Sequence, residues 1–500
     1  MKKFLASICA AAILLSNPVF AAENQTLTLD DAIELALKNN RLIEQSEADR
    51  TQAKWALSAA RRTSGLTLSW SSSYTHIGGR FYRRQYRNTR DELKGRNKIA
   101  MAEYGVAPYN MNLYPKYDYE NTNNFNLRMD VYTGGRNENQ REAARYGLNA
   151  ADLRLENARQ QVKYQAAAAY YQVLVRASLV GVQQQAVNLL QEHLRTIEIQ
   201  YEVGTVAKSD MLSTDVQLAN TQKDLTTAQG NYQTAVAQLN NILGLPVDTE
   251  ITTGGDVNFV AYNLTERDCL DYALNHRPDG IAASYAVKQA AANTDTAKSG
   301  YRPNVAAVVQ GSMSGENFMK ADHGGERWAV GLEMSWNIFD NGVTAAQVEQ
   351  YKAAEKRAES QALQQIETIQ LEVHSAYINL KTAEKNIETT AAAVSKSEEE
   401  FEIAKIRYVE GVDTNLNVMN AQEKLVETRN NYYNALFDYS TSRAQLEKAM
   451  GVPVLIDALL YTEAEQEGKS SPKSLEAAQV ADKNFIEDSA KESSVPFERK

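Results

Sequence analysis

The 500-residue chain carries 53 Lys and Arg against 63 Asp and Glu, a formal charge of −10, with 43% hydrophobic residues, 25 Gly and only 9 Pro. A mean hydropathy of −0.48 and the lack of any apolar run of about 18 residues exclude a bundle of transmembrane helices, so a membrane role would fall to strands. The acidic balance disfavours nucleic acid as a partner, and so few breakers over this length imply long uninterrupted helices.

The chain opens on Met1, Lys2 and Lys3, followed by an apolar run from Phe4 to Leu15 and a small-residue cleavage site at Val19-Phe20-Ala21. This pattern predicts a secretory signal peptide over 1–21, an exported mature chain from Ala22 and, without the two lysines, a charge of −12. Cys9 lies in the removed segment with no lipobox around it, so Cys269 is the single remaining thiol, too few for an internal disulfide or a cysteine zinc site.

After an opening helix, two segments alternate. Leu66, Leu68, Trp70 and Tyr74 interleave with Thr67, Ser69, Ser71 and Ser73, and Phe125, Leu127, Met129 and Val131 interleave with Asn126, Arg128 and Asp130. They predict strands at about 65–76 and 122–132. Between them, residues 79–120 hold nine basic residues, among them Arg80, Arg83, Arg84, Arg87 and Arg90, against five acids, a net +4 on an acidic chain. This segment is read as an enlarged loop. A helix over about 136–203 follows, with Val187, Leu190, Leu194, Ile197 and Tyr201 spaced by threes and fours, and then a shorter one over about 208–243. At ~1.5 Å per residue the longer helix would run about 100 Å.

The chain then repeats itself. Residues 131–248 align with 338–455 at a constant offset of 207, placing Tyr201 and Gly204 over Tyr408 and Gly411 and Gly244 and Pro246 over Gly451 and Pro453. Upstream an offset of 237 places Asp31, Ala36 and Leu37 over Asp268, Ala273 and Leu274, and the 30-residue difference is an insertion in the first copy, between about Gly78 and Asn121. The expectation is a tandem duplication, 22–262 and 263–455. The second copy carries strands at about 302–312 and 327–339, and helices at about 343–409 and 414–450. From about 456 the tail is polar and without period, an expected disordered extension.

Four strands of membrane-spanning length cannot close a barrel, whereas three chains supplying twelve could. Alternation alone equally fits a soluble sheet with one buried face, and the helical period alone equally fits a solid coiled coil. The five histidines, His76, His193, His276, His323 and His374, show no metal-ligand spacing, and no nucleotide loop or nucleophile elbow is present.

In this arrangement the chain resembles a TolC-type outer membrane factor from about residue 26 to 455. The resemblance is carried by the duplication, the order of elements, the segments Tyr201-Glu202-Val203-Gly204-Thr205-Val206 and Tyr408-Val409-Glu410-Gly411-Val412-Asp413, and the helix ends Leu243-Gly244-Leu245-Pro246 and Met450-Gly451-Val452-Pro453. It implies an α+β membrane protein: a homotrimeric 12-stranded outer-membrane β-barrel, four strands per chain, continuous with a 12-helix periplasmic α-barrel. It further implies no enzymatic activity and no cofactor. The partners would be a periplasmic adaptor (membrane fusion) protein, an inner-membrane transporter and outer membrane lipid. The function it implies is a passive exit duct for efflux or type I secretion; a non-conducting envelope-spanning coiled-coil protein is the alternative.

The same resemblance places a gate at the helix-pair tips. Where the family carries carboxylate rings this chain has Asn417 and Asn420, and where the family is basic it has Asp413. Asp210 occupies the matching first-copy site with Tyr408 as its expected hydrogen-bonding partner, and Lys208 is expected to latch to Asp413 with reversed polarity. The basic insert, by the same topology, would face outside toward anionic lipopolysaccharide.

Overall fold

The computed structural model describes residues 26–76, 80–107, 119–254, 261–315 and 326–453, with isolated positions between them. The signal segment 1–21 and the tail from 456 lie outside the described residues, as do the side chains of 80–90. In chain order the elements are α1 (Leu29–Asn39), α2 (Arg41–Arg62), β1 (Thr67–His76), α3 (Arg80–Tyr104), β2 (Tyr119–Tyr132), α4 (Arg136–Glu202) and α5 (Lys208–Leu243). There follow α6 (Glu266–His276), α7 (Pro278–Lys298), β3 (Asn304–Gly315), β4 (Glu326–Ser335), α8 (Val343–Val409) and α9 (Asn415–Met450).

These fall into two compact units. One, residues 50–151 and 282–363, holds a four-stranded antiparallel sheet in the order β1-β2-β3-β4. Trp70 pairs with Phe125, and Asn304 with Ser335; a bulge at Asp130/Tyr132 shifts the register of β2 on β3. Alternation gives the sheet an apolar row on β4, where Trp328 is 80% exposed and Val330, Leu332 and Met334 are also exposed. On the opposite face Arg128 pairs with Asp130 at 3.2 Å and Glu333 at 2.9 Å. The outer strands β1 and β4 each have one side without a strand partner in the sheet.

The other unit, residues up to 49, 152–281 and from 364, is helical, and two of its apolar clusters gather round the short helices. In one, Ala32 and Ala36 of α1 meet Val162, Tyr170 and Val173 of α4 and Leu239 and Leu243 of α5. In the other, Cys269 and Ala273 of α6 meet Val373, Ala376 and Leu380 of α8 and Tyr439 and Leu446 of α9. Small residues at Ala32, Ala36, Cys269 and Ala273, all fully buried, let the short helices approach the long ones closely. Both short helices start with a capping box, Thr28 with Asp31 and Thr265 with Asp268, which satisfies otherwise orphaned N–H groups. Burial pushes the Cys269 thiol up from its ordinary value, which suits a packing role.

Two expectations need correction. The insert is not a plain loop, because 80–104 forms the 25-residue helix α3. The segment contains no Pro and only Gly95, and Glu92 pairs with Arg96 one turn on, at 3.0 Å. The side chains of Arg80, Arg83, Arg84, Arg87 and Arg90 lie outside the described residues. The fourth strand, expected to reach 339, stops at Ser335. The indole of Trp336 donates to Tyr301 O at 3.1 Å, and Asp340 caps α8 by accepting from Gly342 N and Thr344 N.

Candidate functional site: the helix-pair tips

Each pair of long helices turns at a glycine. α4 ends with Gly204 at φ +79° and α8 with Gly411 at φ +74°, the left-handed conformation in which glycine avoids the Cβ penalty. At the first tip Thr205 N donates to Gln200 O and Gly204 N to Tyr201 O, both at 2.9 Å. At the second Val412 N donates to Arg407 O at 2.9 Å and Gly411 N to Tyr408 O at 3.0 Å. These are two Schellman caps, which satisfy the last carbonyls of each helix and fold the chain back sharply.

An apolar cluster below the tips holds the two hairpins together: Ile197 of α4 packs with Phe401, Ala404 and Tyr408 of α8 and Val418, Ala421 and Leu425 of α9. Five polar side chains are embedded in this contact, those of Tyr408, Gln200, His193, Asn415 and Thr214. The Tyr408 hydroxyl donates to Gln200 Oε1 at 3.0 Å. His193 Nε2 lies 2.7 Å from Asn415 Oδ1, with its ring edge-on to Tyr408 at 5.2 Å. Asn415 Nδ2 in turn donates to Thr214 Oγ1 at 2.9 Å and to Asp210 O at 3.3 Å. Asn415 is 5% exposed and Thr214 fully buried, so this network is costly to leave unpaired and orders the contact. Burial pushes the His193 pKa below 6.5, opposed by the Asn415 hydrogen bond and reinforced by Lys405. Burial, and then Asp210, pushes the Tyr408 phenol up.

The tip residues singled out from the sequence divide. Tyr201 is 40% exposed and Tyr408 8%, although they occupy equivalent places in the repeat. Tyr408 bonds to Gln200 and not to Asp210: the Asp210 carboxylate sits in the first turn of α5, where the helix N-terminus favours an acid, and its backbone carbonyl takes the Asn415 amide. Asp413 is engaged in its own turn. It accepts from Thr414 N at 2.8 Å and from the Asn417 amide, and Arg407 lies 3.6 Å away. The Asn417 and Thr414 hydrogen bonds hold its carboxyl below the usual range, with Arg407 adding to them. Lys208 and Asn420 are exposed, and among the described residues of one chain Asp413 has Arg407, six residues earlier, as its ion-pair partner and not Lys208. His193, Asn415 and Gln200 are the functional candidates the sequence reading passed over; the one signal available was that all three fall within two or three turns of a tip glycine.

Long helix pairs closed by Schellman turns, together with a four-stranded sheet that is apolar on one face, define an outer-membrane efflux protein. The chain belongs to the outer membrane efflux protein family, whose model matches residues 32–245 and 269–452, and it is an outer-membrane protein. Among relatives, it is 23% identical over 430 residues to the outer membrane efflux protein BepC of Brucella suis, covering 84% of each chain. It is 22% identical over 363 residues to the outer membrane protein TolC of Escherichia coli, covering 67% of this chain and 71% of TolC. Its fold matches the crystal structure of the Campylobacter jejuni CmeC outer membrane channel with a TM-score of 0.71 at 17% identity, over 88% of this chain and 90% of that one.

Proposed function

We propose that the protein is the outer-membrane exit duct of a tripartite efflux pump, conducting substrate passively from an inner-membrane transporter and a periplasmic adaptor to the exterior. The observation that carries this reading is the sheet. It has two outer strands that each lack a partner on one side, exposed residues throughout β1 and β4, one apolar face and one ion-paired face. Unpaired edges and exposed apolar rows are unstable in isolation. Three copies would close twelve strands into a barrel with its apolar face to lipid and its polar face to a wet lumen, and the helices of the same three copies would continue the duct as an α-barrel. The names of the relatives, efflux proteins of outer membranes, support efflux as the process. The matched contacts of the two halves support their origin by duplication. In this reading the tips are the closable periplasmic end, with Lys208, Asp210, Tyr408, Asp413, Asn417 and Asn420 at the gate and the exposed turns at Tyr201, Gly204 and Gly411 offered to the adaptor. No step of chemistry is required of the chain.

Native mass spectrometry of the detergent-extracted protein tests the assembly: a mass of three chains is expected. A stable monomer or dimer would oppose the barrel.

A further inference from the structure

The unit that holds the sheet also contains a polar cavity of about 570 Å³ where the strands meet the helices. Its wall draws on Thr133 at the end of β2, Asn304 and Ser335 at the paired ends of β3 and β4, Asn293 on α7 and Tyr351 on α8, together with two arginines, Arg136 and Arg302. Among the described residues no Asp or Glu lines the wall; the other lining groups are amides, hydroxyls, small residues and the Tyr351 ring. Asp130, outside the wall, offsets part of the Arg136 charge, which leaves Arg302 to make the cavity positive on a chain that is acidic overall. The size is that of a site for a single organic molecule.

Three further observations bear on what would fill it. Arg302 donates through Nη1 to Gly134 O at 3.1 Å, which fixes the guanidinium while leaving other N–H groups of the fork for a ligand. Arg136 has Asp130 at 3.9 Å, beyond a hydrogen bond, so its donors are not used up by that acid. Asn304 has a buried Oδ1 with no hydrogen-bond partner among the described residues, an unspent acceptor that a ligand hydroxyl reaches when the amide turns toward the cavity.

Ser335 shares its face of β4 with Glu333, two residues earlier in the strand, so the cavity opens on the ion-paired face and not on the apolar row of Trp328 and Leu332. We propose that this cavity is a binding site on the export path for an organic acid that also carries hydroxyl groups, an acidic sugar or sugar conjugate. Its carboxylate is held by Arg136 and Arg302, its hydroxyls by Asn293, Asn304 and Ser335, and an apolar or ring face lies on Tyr351. The site rests on the duct reading, because it is the polar face of the sheet that becomes the lumen when three chains close.

The test uses the purified full-length assembly and a pair of probes that differ at one carbon, p-nitrophenyl glucuronide, with its carboxylate, and p-nitrophenyl glucoside, with a hydroxymethyl group. Binding is read by calorimetry in detergent, and block of ion current is read in planar bilayers. The glucuronide is expected to bind and to reduce the current reversibly, with the glucoside about ten-fold weaker or more, and Arg136→Gln and Arg302→Gln each weakening the glucuronide by about ten-fold. Should Arg302→Gln fail to assemble, Gln350→Glu, at a wall position given no part in holding the ligand, puts a carboxylate into the wall and is expected to weaken the glucuronide while sparing the glucoside. Equal binding of the two probes, or glucuronide binding untouched by Arg136→Gln and Gln350→Glu, would overturn the site. Current without any binding overturns the site and leaves the duct; binding without current overturns the duct and, with it, the place of this site on an export path.

Discussion

Asn40 and Arg277 occupy the same place in the two halves of the chain, 237 residues apart, and tie down the same carbonyl. Asn40 Nδ2 donates to Ile242 O at 3.0 Å, and Arg277 Nη1 donates to Ala449 O at 3.2 Å, 207 residues further on. Each closes the C-terminal end of a short helix onto the last turn of α5 or α9. Tyr170 and Tyr377 form a second such pair, bonding Leu27 O and Leu264 O.

Arg277 takes on more than Asn40 does. It is 6% exposed and also bonds Asp279 through Nε and Nη2, at 3.0 and 2.6 Å, and Glu372 at 2.6 Å. Removing one partner of a buried charge cluster costs several kcal/mol because the remaining charges lose their compensation. With the Glu372 side chain 45% exposed, screening places Arg277→Ala near the lower end, about 3 kcal/mol. Asn40→Ala is expected to cost about 1 kcal/mol. Thermal inactivation of the detergent-purified protein checks the order, and equal losses would contradict it.

At the tips, Tyr408→Phe removes the hydroxyl bonded to Gln200 without altering the packed ring. The loss is about 0.5–1.5 kcal/mol per chain, enough to shift a marginal closed state of the proposed trimer, in which three copies would act together. Tyr408→Phe and Gln200→Ala should each raise resting conductance, and the double variant should leak no more than the worse single one. Additive leak would show that the two residues act separately.

His193 gives the same contact a pH dependence of defined sign. Burial lowers its folded-state pKa below the ordinary 6.5, so the neutral ring is the form the packed tip accepts. The groups facing it are Lys405 and Tyr408 on α8, Asn415 on α9 and Glu192 on its own helix. The stabilisation is full above about pH 6.5 and is lost as the pH falls through the lowered value. Heat inactivation measured from pH 7.5 to 4.5, with about half-unit steps, should show His193→Gln removing part of the acid-side decline. An unchanged acid limb in that variant would contradict it.

Four helix-ending glycines share a left-handed φ but not the same space. A Cβ at Gly411 meets nothing within 4 Å, whereas at Gly451 it would stand 2.9 Å from Arg277 Cα. Gly411→Ala therefore costs the conformational term alone, about 1–2 kcal/mol. Gly451→Ala adds a backbone clash and should assemble in visibly lower yield on extraction. Equal yields would refute the difference.

The long helices are legible in the sequence because Val187, Leu190, Leu194 and Ile197 form a stripe that only a helix buries together, and β4 because Trp328, Val330, Leu332 and Met334 alternate without a break. The helix α3 was not legible: its charged residues form no apolar stripe, and its helical tendency comes from the absence of breakers and from pairs such as Glu92 with Arg96. Side-chain partners at the tips were less legible still. Gln200 and Tyr408 are 208 residues apart, and His193 acquires its role only when α8 and α9 close over it. Asp413 shows the limit most clearly, since its charge was evident but its partner, Arg407, was set by the turn at Gly411.

The duct itself is tested most directly by reconstituting the assembled full-length protein in planar lipid bilayers and recording current. The account predicts stepwise ion conductance from single insertions, low at rest and raised by Tyr408→Phe. A correctly assembled trimer that inserts and carries no current, in the parent chain and in Tyr408→Phe alike, would contradict it and leave an envelope-spanning structural protein as the reading.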